Sequence, residues 1–160
     1  MWQASGAVGE ETDVAAASGG IEGRAVSLGR LAVVGALTVA VAVVVNVVIR
    51  TVAVSVFGIG DGFQPLGVGP TVFFTVVGVT GAAVVFGLML RSARRPVRLF
   101  RRVALVVLLV SLVPDLLLLF TNSIPGTTVA GVGTLMLEHV ATWSVAVGML
   151  TNLVRSKEGA

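Results

Sequence analysis

A few ionisable side chains interrupt otherwise apolar stretches, and these are the residues most able to do chemistry. Asp115 lies in residues 103–120, where Ser111 is the only other polar residue. A carboxylate at the centre of a membrane-spanning helix costs roughly 2.5–3.5 kcal/mol, so such groups are a functional-site hypothesis by default. Four other polar residues interrupt apolar stretches in the same way, namely Asn46, Arg50, Glu138 and His139.

The elements that position these residues follow from the composition of the chain. Of 160 residues, 56% are hydrophobic and 12% are charged, about half the charged share of a soluble domain. Mean hydropathy is +1.02. In lipid, helices satisfy their own backbone groups, and about 20 apolar residues cross the hydrocarbon core. We therefore predict an all-α integral membrane bundle of four transmembrane helices, with spans at about 31–49, 71–90, 103–120 and 129–154.

Positive charges predict the orientation of these spans. The connections at 58–70 and 121–128 contain no Lys or Arg, whereas the opposite side carries Arg24, Arg30, Arg155, Lys157 and a six-arginine cluster. Positive residues favour the cytoplasmic side, so we predict that both termini are cytoplasmic. The cluster is also predicted to attract anionic lipids, at about 1 kcal/mol per residue. It consists of Arg91, Arg94, Arg95, Arg98, Arg101 and Arg102.

The helix rise places the five interrupting residues in one layer. Counted from the cytoplasmic ends at about 1.5 Å per residue, all five lie roughly 18–28 Å deep, in the outer half. Asn46 and Arg50 share a helix face, as do Glu138 and Thr142. One interpretation is a structural layer, with Arg50 neutralising Asp115 or Glu138 and the whole fixing helix register. The other is a functional site for protons, ions or a small molecule. A third places Arg50 and Glu138 among the lipid headgroups. Pro114 predicts a kink beside Asp115.

Several function classes are excluded or unsupported. There are no cysteines, which excludes disulfides and thiolate metal sites. No phosphate-binding or metalloprotease motif is present, and the arginines form no stripe with interleaved aromatics, so we expect neither an enzyme nor a nucleic-acid partner. His139 alone is a weak signal for haem or metal, since a second axial ligand is missing. We expect no metal and no cofactor.

The ends of the chain and the small residues permit more than one interpretation. Residues 1–27 are polar and predicted to be disordered, and residues 156–160 form a tail. Residues 21–24 spell the factor Xa recognition sequence, so an engineered leader and a natural tail are both open. Gly78, Gly81 and Ala82 predict close helix packing within the bundle, or else a homodimer or larger membrane complex.

Short segments along the chain resemble a family of small bacterial membrane proteins, the domain of unknown function 6069. The segments are Asn46 to Arg50, the run 65–70 (PLGVGP), the turn 94–96 (RRP), the run 113–115 (VPD) and the run 138–140 (EHV). The resemblance covers about residues 28–155. It implies four helices in a bacterial inner membrane, and it brings no activity.

Two functions from different classes follow. The first is a non-enzymatic membrane protein, either a structural or accessory subunit or a bundle that binds a lipid or small molecule. Its short loops leave no room for a soluble catalytic domain. The alternative is a small proton- or ion-coupled transporter that uses Asn46, Arg50, Asp115, Glu138 and His139, although the two helix pairs lack the similarity expected of inverted repeats.

Overall fold

Four long helices make up nearly all of the described chain. The structure is a computed structural model that describes residues 28–59, 62–121 and 123–155. The helices are α1 (Leu28–Phe57), α2 (Val68–Ser92), α3 (Pro96–Thr121) and α4 (Val129–Arg155), with a short 3-10 helix at Gln64–Leu66. The predicted leader at 1–27 and tail at 156–160 lie outside the described residues. The all-α prediction is therefore confirmed for the part of the chain that the structure describes.

Three helices have the length and composition of membrane spans. The most apolar stretches of α1, α2 and α3 have mean hydropathies of 2.7, 2.2 and 2.8. Only 11–22% of these stretches is buried inside the protein, which leaves most of their apolar surface for lipid. Helix α4 has 27 residues but is not among the three. Its intervening polar residues, Glu138 and His139 above all, lower its hydropathy.

All four helices are longer than the predicted spans, and two of them, α1 and α3, by the most. Helix α1 continues through Arg50 to Phe57, so the apolar run at 51–57 extends the first span. Helix α3 begins at Pro96, so the connection between the second and third helices shrinks to residues 93–95, and four of the six clustered arginines are helical. A proline at the first helical position has no N–H to leave unsatisfied. Helix α3 continues without interruption through Pro114.

Neighbouring helices run antiparallel, and α4 packs most extensively against α1 and α3. The close approach of α1 to α2 uses Gly87, where an added β-carbon would lie 2.7 Å from Leu31 Cδ2. By contrast, β-carbons at Gly78 and Gly81 would meet nothing within 4 Å. The prediction that Gly78 mediates packing within the bundle is therefore wrong, because this glycine lies on the outward face of α2.

Apolar clusters close both ends of the bundle. At the end that holds residues 93–95, called the terminal end here, Phe86 packs against Phe100, with ring centroids 4.8 Å apart, beside Leu150. At the opposite end, called the loop end, Phe63 and Leu66 reach inward from the α1–α2 connection and are each 2% exposed. The space between the two clusters holds the polar residues.

Candidate functional site

Polar side chains from α1, α2 and α4 form two tiers, one helical turn apart. Each helix carries a polar pair at a spacing of four residues, which places both members on one face. Because the helices are antiparallel, one member of each pair lies nearer the loop end. The upper tier, on that side, comprises Arg50, Thr71 and Glu138, to which α3 adds Asp115. The lower tier comprises Asn46, Thr75 and Thr142.

The lower tier is linked by hydrogen bonds across three helices. Asn46 is 2% exposed, and its Nδ2 donates to Thr75 Oγ1 at 2.8 Å and to Thr142 Oγ1 at 2.7 Å. Thr75 donates in turn to the Thr71 carbonyl at 2.7 Å. Asn46 Oδ1 alone in this tier is buried without a partner. The lower tier therefore joins α1, α2 and α4 at one level.

The upper tier brings two carboxyl groups and one guanidinium together but leaves oxygens without partners. Glu138 is 6% exposed, and both Arg50 and Asp115 lie close enough to act on its charge. The Thr71 hydroxyl lies beside Glu138. The two nevertheless make no well-aligned hydrogen bond, since Thr71 Oγ1 and Glu138 Oε1 are both buried without a partner.

Arg50 is held by the loop end and not by Asp115. Its Nε donates to the carbonyl of Leu66, in the 3-10 helix. Arg50 and Asp115 form no ion pair, so the predicted neutralisation of Asp115 by Arg50 is wrong. The reason is geometric: the connection at 62–67 folds inward and offers Arg50 a carbonyl, while α4 places another partner beside Asp115.

That partner is His139. Its Nδ1 lies 3.3 Å from Asp115 Oδ2 and 2.8 Å from the carbonyl of Leu135, one turn back on α4. The Leu135 carbonyl is an acceptor, so this geometry fits the tautomer whose proton is on Nδ1. Asp115 Oδ2 lacks the alignment of a hydrogen bond despite the short distance. The His139 side chain is 38% exposed, so it connects the tier to the outside of the bundle.

The structure brings all five predicted residues into adjacent turns of the bundle. Sequence reasoning missed the contribution of α2, which supplies Thr71 and Thr75, 4% and 5% exposed. The available signal was their spacing of four residues in an otherwise apolar helix. A further buried donor, Trp143 Nε1, lies one turn from His139 and has no partner.

The arginine cluster lies far from these tiers, at the terminal end. Arg101 donates to Thr151 at 3.4 Å, which joins the start of α3 to the end of α4. A shallow, open cavity of about 480 Å³ lies along the first turns of α3. Its lining residues are Arg95, Pro96, Val97, Arg98, Arg101 and Arg102. The remaining two arginines of the cluster, Arg91 and Arg94, are outside this lining.

The chemistry available in the upper tier is that of oxygen acceptors. Among the described residues, no three His, Cys, Asp or Glu side chains are grouped as a metal site. The buried upper-tier oxygens without a hydrogen-bond partner are Thr71 Oγ1, Asp115 Oδ2 and Glu138 Oε1, and Asn46 Oδ1 in the lower tier is a fourth. Carboxylate and amide oxygens only accept hydrogen bonds, whereas a hydroxyl can also donate one. The arrangement suits a ligand that brings donors or positive charge.

Comparison with known proteins gives a single match. The chain matches a family described as a family of unknown function, DUF6069, over residues 26–156, which include all four helices. The resemblance noted from the short sequence segments is thereby confirmed. No curated protein and no solved structure matches the chain.

Proposed function

The chain belongs to DUF6069, a family of unknown function, and we propose its function from the two tiers. It is a four-span, non-enzymatic integral membrane protein that binds a small polar ligand in its upper tier. The lower tier holds the helices in register, and the upper tier is the site.

Helix α4 is the fourth span in this proposal, because two of its polar residues, Thr134 and Glu138, are buried inside the bundle. By contrast, the neighbouring apolar residues Leu137 and Val140 are 53% and 41% exposed. Packing between α1 and α3 lets a helix of lower overall hydropathy cross the membrane, since intramembrane polar residues face the interior of a bundle.

The positive charges support an orientation with the terminal end in the cytoplasm. All six clustered arginines and Arg30 lie at that end of the bundle. Arg50 is the one positive residue of the described helices that lies near the loop end. Both termini are then cytoplasmic by the positive-inside rule. We place the protein in a bacterial inner membrane, with anionic lipids at the arginine cluster, and a homodimer is compatible with the outward Gly78.

One observation carries the assignment of a site: three upper-tier oxygens are buried without a hydrogen-bond partner. They belong to Thr71, Asp115 and Glu138. A buried polar group without a partner costs about 1–3 kcal/mol. A layer that served only helix register would gain nothing from these groups, and the lower tier already links three helices. Groups retained at a cost to stability are typical of functional sites.

Two threonines on one face of α2 test this assignment. Thr71→Val removes a hydroxyl without a partner, so the free energy of unfolding should stay unchanged or rise. Thr75→Val removes the acceptor for Asn46, so the free energy of unfolding should fall by about 0.6–1.7 kcal/mol. Both values come from reversible unfolding of the purified protein in mixed micelles with increasing denaturing detergent.

Equal losses for the two variants would refute the assignment, because they would make Thr71 a structural residue like Thr75. Thr80→Val serves as a control for changing a threonine on α2, since Thr80 is exposed on the outward face. Its unfolding free energy should match that of the natural protein.

The contact between His139 and Asp115 favours one alternative, a proton-coupled transporter. It joins a carboxyl group to a half-exposed imidazole at 3.3 Å. Proteoliposomes containing a pH-sensitive dye distinguish the alternatives: a transporter moves protons across the membrane and loses this activity in Asp115→Asn, whereas a binding protein moves none.

A further inference from the structure

We propose that the ligand of the upper tier is a single monovalent cation, either a proton or an alkali ion such as sodium. The inference rests on the proposed function and names the charge of what binds. It follows from a charge count on the four helices and from the kind of atoms left without partners.

The charge count leaves one negative charge in the tier. Facing Glu138, α1 contributes Arg50, α2 contributes no charged group, α3 contributes Asp115, and α4 itself adds His139. With His139 neutral, two carboxylates oppose one guanidinium. An isolated buried charge is strongly unfavourable in a low-dielectric interior. One added positive charge would balance the tier.

The oxygens without partners show where that charge is missing. The Thr71 hydroxyl lies beside the Glu138 carboxyl group, and both residues are more than nine-tenths buried. Thr71 Oγ1 and Glu138 Oε1 each lack a hydrogen-bond partner. Asn46 Oδ1, also buried, is one turn below on α1. Neutral and charged oxygens together are the ligands that hard cations prefer. No thiolate is available, and the one imidazole uses Nδ1 to donate to a carbonyl, which disfavours a transition metal.

A proton would balance the charge of the tier by binding directly to one of its side chains. It would reside on the carboxyl group of Glu138 or of Asp115. Sodium would instead need the Thr71 oxygen as a ligand, because a carboxylate alone does not complete its coordination. The role of Thr71 therefore separates the two cations.

Thermal stability in detergent measures the binding of either cation. A ligand that binds only the folded state multiplies the folded-to-unfolded ratio about tenfold for each tenfold rise in concentration above its dissociation constant. The melting temperature is followed as choline is replaced by sodium at constant ionic strength and constant alkaline pH. It is then followed as pH is lowered without sodium.

Each cation predicts its own pattern among the variants. If sodium binds, sodium raises the melting temperature, and Thr71→Val shifts the half-effective sodium concentration by about tenfold or more. If a proton binds, only lower pH raises the melting temperature, Thr71→Val behaves as the natural protein, and Glu138→Gln flattens the response. Thr80→Val changes an exposed threonine on the same helix and should respond like the natural protein.

A melting temperature that responds to neither cation, or responds equally in Glu138→Gln, would overturn the proposal. Failure of the proposed function gives a different result, namely a loss of stability in Thr71→Val as large as in Thr75→Val. A stable Thr71→Val without any cation response would keep the binding site and make its ligand uncharged.

Discussion

The lower tier makes a quantitative prediction about how the helices are joined. Asn46 donates one hydrogen bond to Thr75 on α2 and another to Thr142 on α4, at 2.8 and 2.7 Å. Asn46→Leu keeps the branching and the number of side-chain heavy atoms and removes both hydrogen-bond donations. We predict that this variant loses energetic coupling with Thr142.

The magnitude follows from hydrogen bonds measured inside membranes. Such bonds average about 0.6 kcal/mol in double-mutant cycles and reach about 1.7 kcal/mol. Removing both from Asn46 should therefore cost about 1–3 kcal/mol. Asn46 Oδ1 is buried without a partner, so its removal recovers part of that loss. The single-variant value mixes both effects, and the coupling energy isolates the bond.

The assay is a double-mutant cycle of Asn46→Leu, Thr142→Val and the double variant, with each free energy of unfolding measured in mixed micelles. The coupling energy between positions 46 and 142 should lie between about 0.6 and 1.7 kcal/mol. Ser144→Ala serves as the matched control on α4, because Ser144 is exposed and donates only to the Val140 carbonyl at 2.8 Å.

The outcome that refutes the reasoning is additivity. Independent sites add within about 0.3–0.5 kcal/mol. The effects of Asn46→Leu and Ser144→Ala on the free energy of unfolding should add within that range. If the effects of Asn46→Leu and Thr142→Val are also additive, the hydrogen bond between these residues contributes nothing to stability. The lower tier then does not hold α1 against α4.

Two further predictions concern the loop end and the orientation. Gly131→Ala should lower the melting temperature relative to Gly133→Ala, because its β-carbon would lie 3.0 Å from two ring carbons of buried Phe63, whereas that of Gly133 meets nothing within 4 Å. Overpacking of this kind costs about 1–3 kcal/mol, and equal melting temperatures would show that Phe63 does not pack as described. A cysteine in place of Asp61 should react with a membrane-impermeant thiol reagent in intact cells, whereas one in place of Ser92 should not. The reverse pattern would invert the orientation.

The residues of the site were largely predictable, because charged groups stand out in apolar helices. Asp115 and Glu138 are visible for this reason, and the helix rise placed them at one depth. Thr71 and Thr75 were missed because a threonine can satisfy its hydroxyl within its own helix, as Thr75 does. Threonines in an apolar helix therefore give no signal of their own, except through their spacing.

The pairing of the charged groups could not be read from the sequence. Depth alone allowed Arg50 to reach Asp115 or Glu138. The deciding contacts depend on the side-to-side arrangement of helices and on an irregular connection. Leu66 offers its carbonyl to Arg50 because the segment after Gly62 turns inward, and α4 brings His139 against Asp115. The periodicity of residues within a single helix predicts neither of these two contacts.

The extent of α3 was missed for a related reason. The third span was predicted to begin at about residue 103, because the six arginines before it end the apolar run. The helix nevertheless begins at Pro96, so Arg98, Arg101 and Arg102 are helical. Charge marks where the hydrocarbon region ends, and it does not mark where the helix ends.

The most direct test of the upper tier as a binding site is a crystal structure grown in a lipidic mesophase, at a resolution that shows waters and ions. We predict non-protein density within ligand or hydrogen-bond distance of Thr71 Oγ1 and Glu138 Oε1, with Arg50 still bonded to the Leu66 carbonyl. A dry tier, in which Thr71, Glu138 and Arg50 satisfy one another and no density lies between them, would contradict the account and make the layer structural.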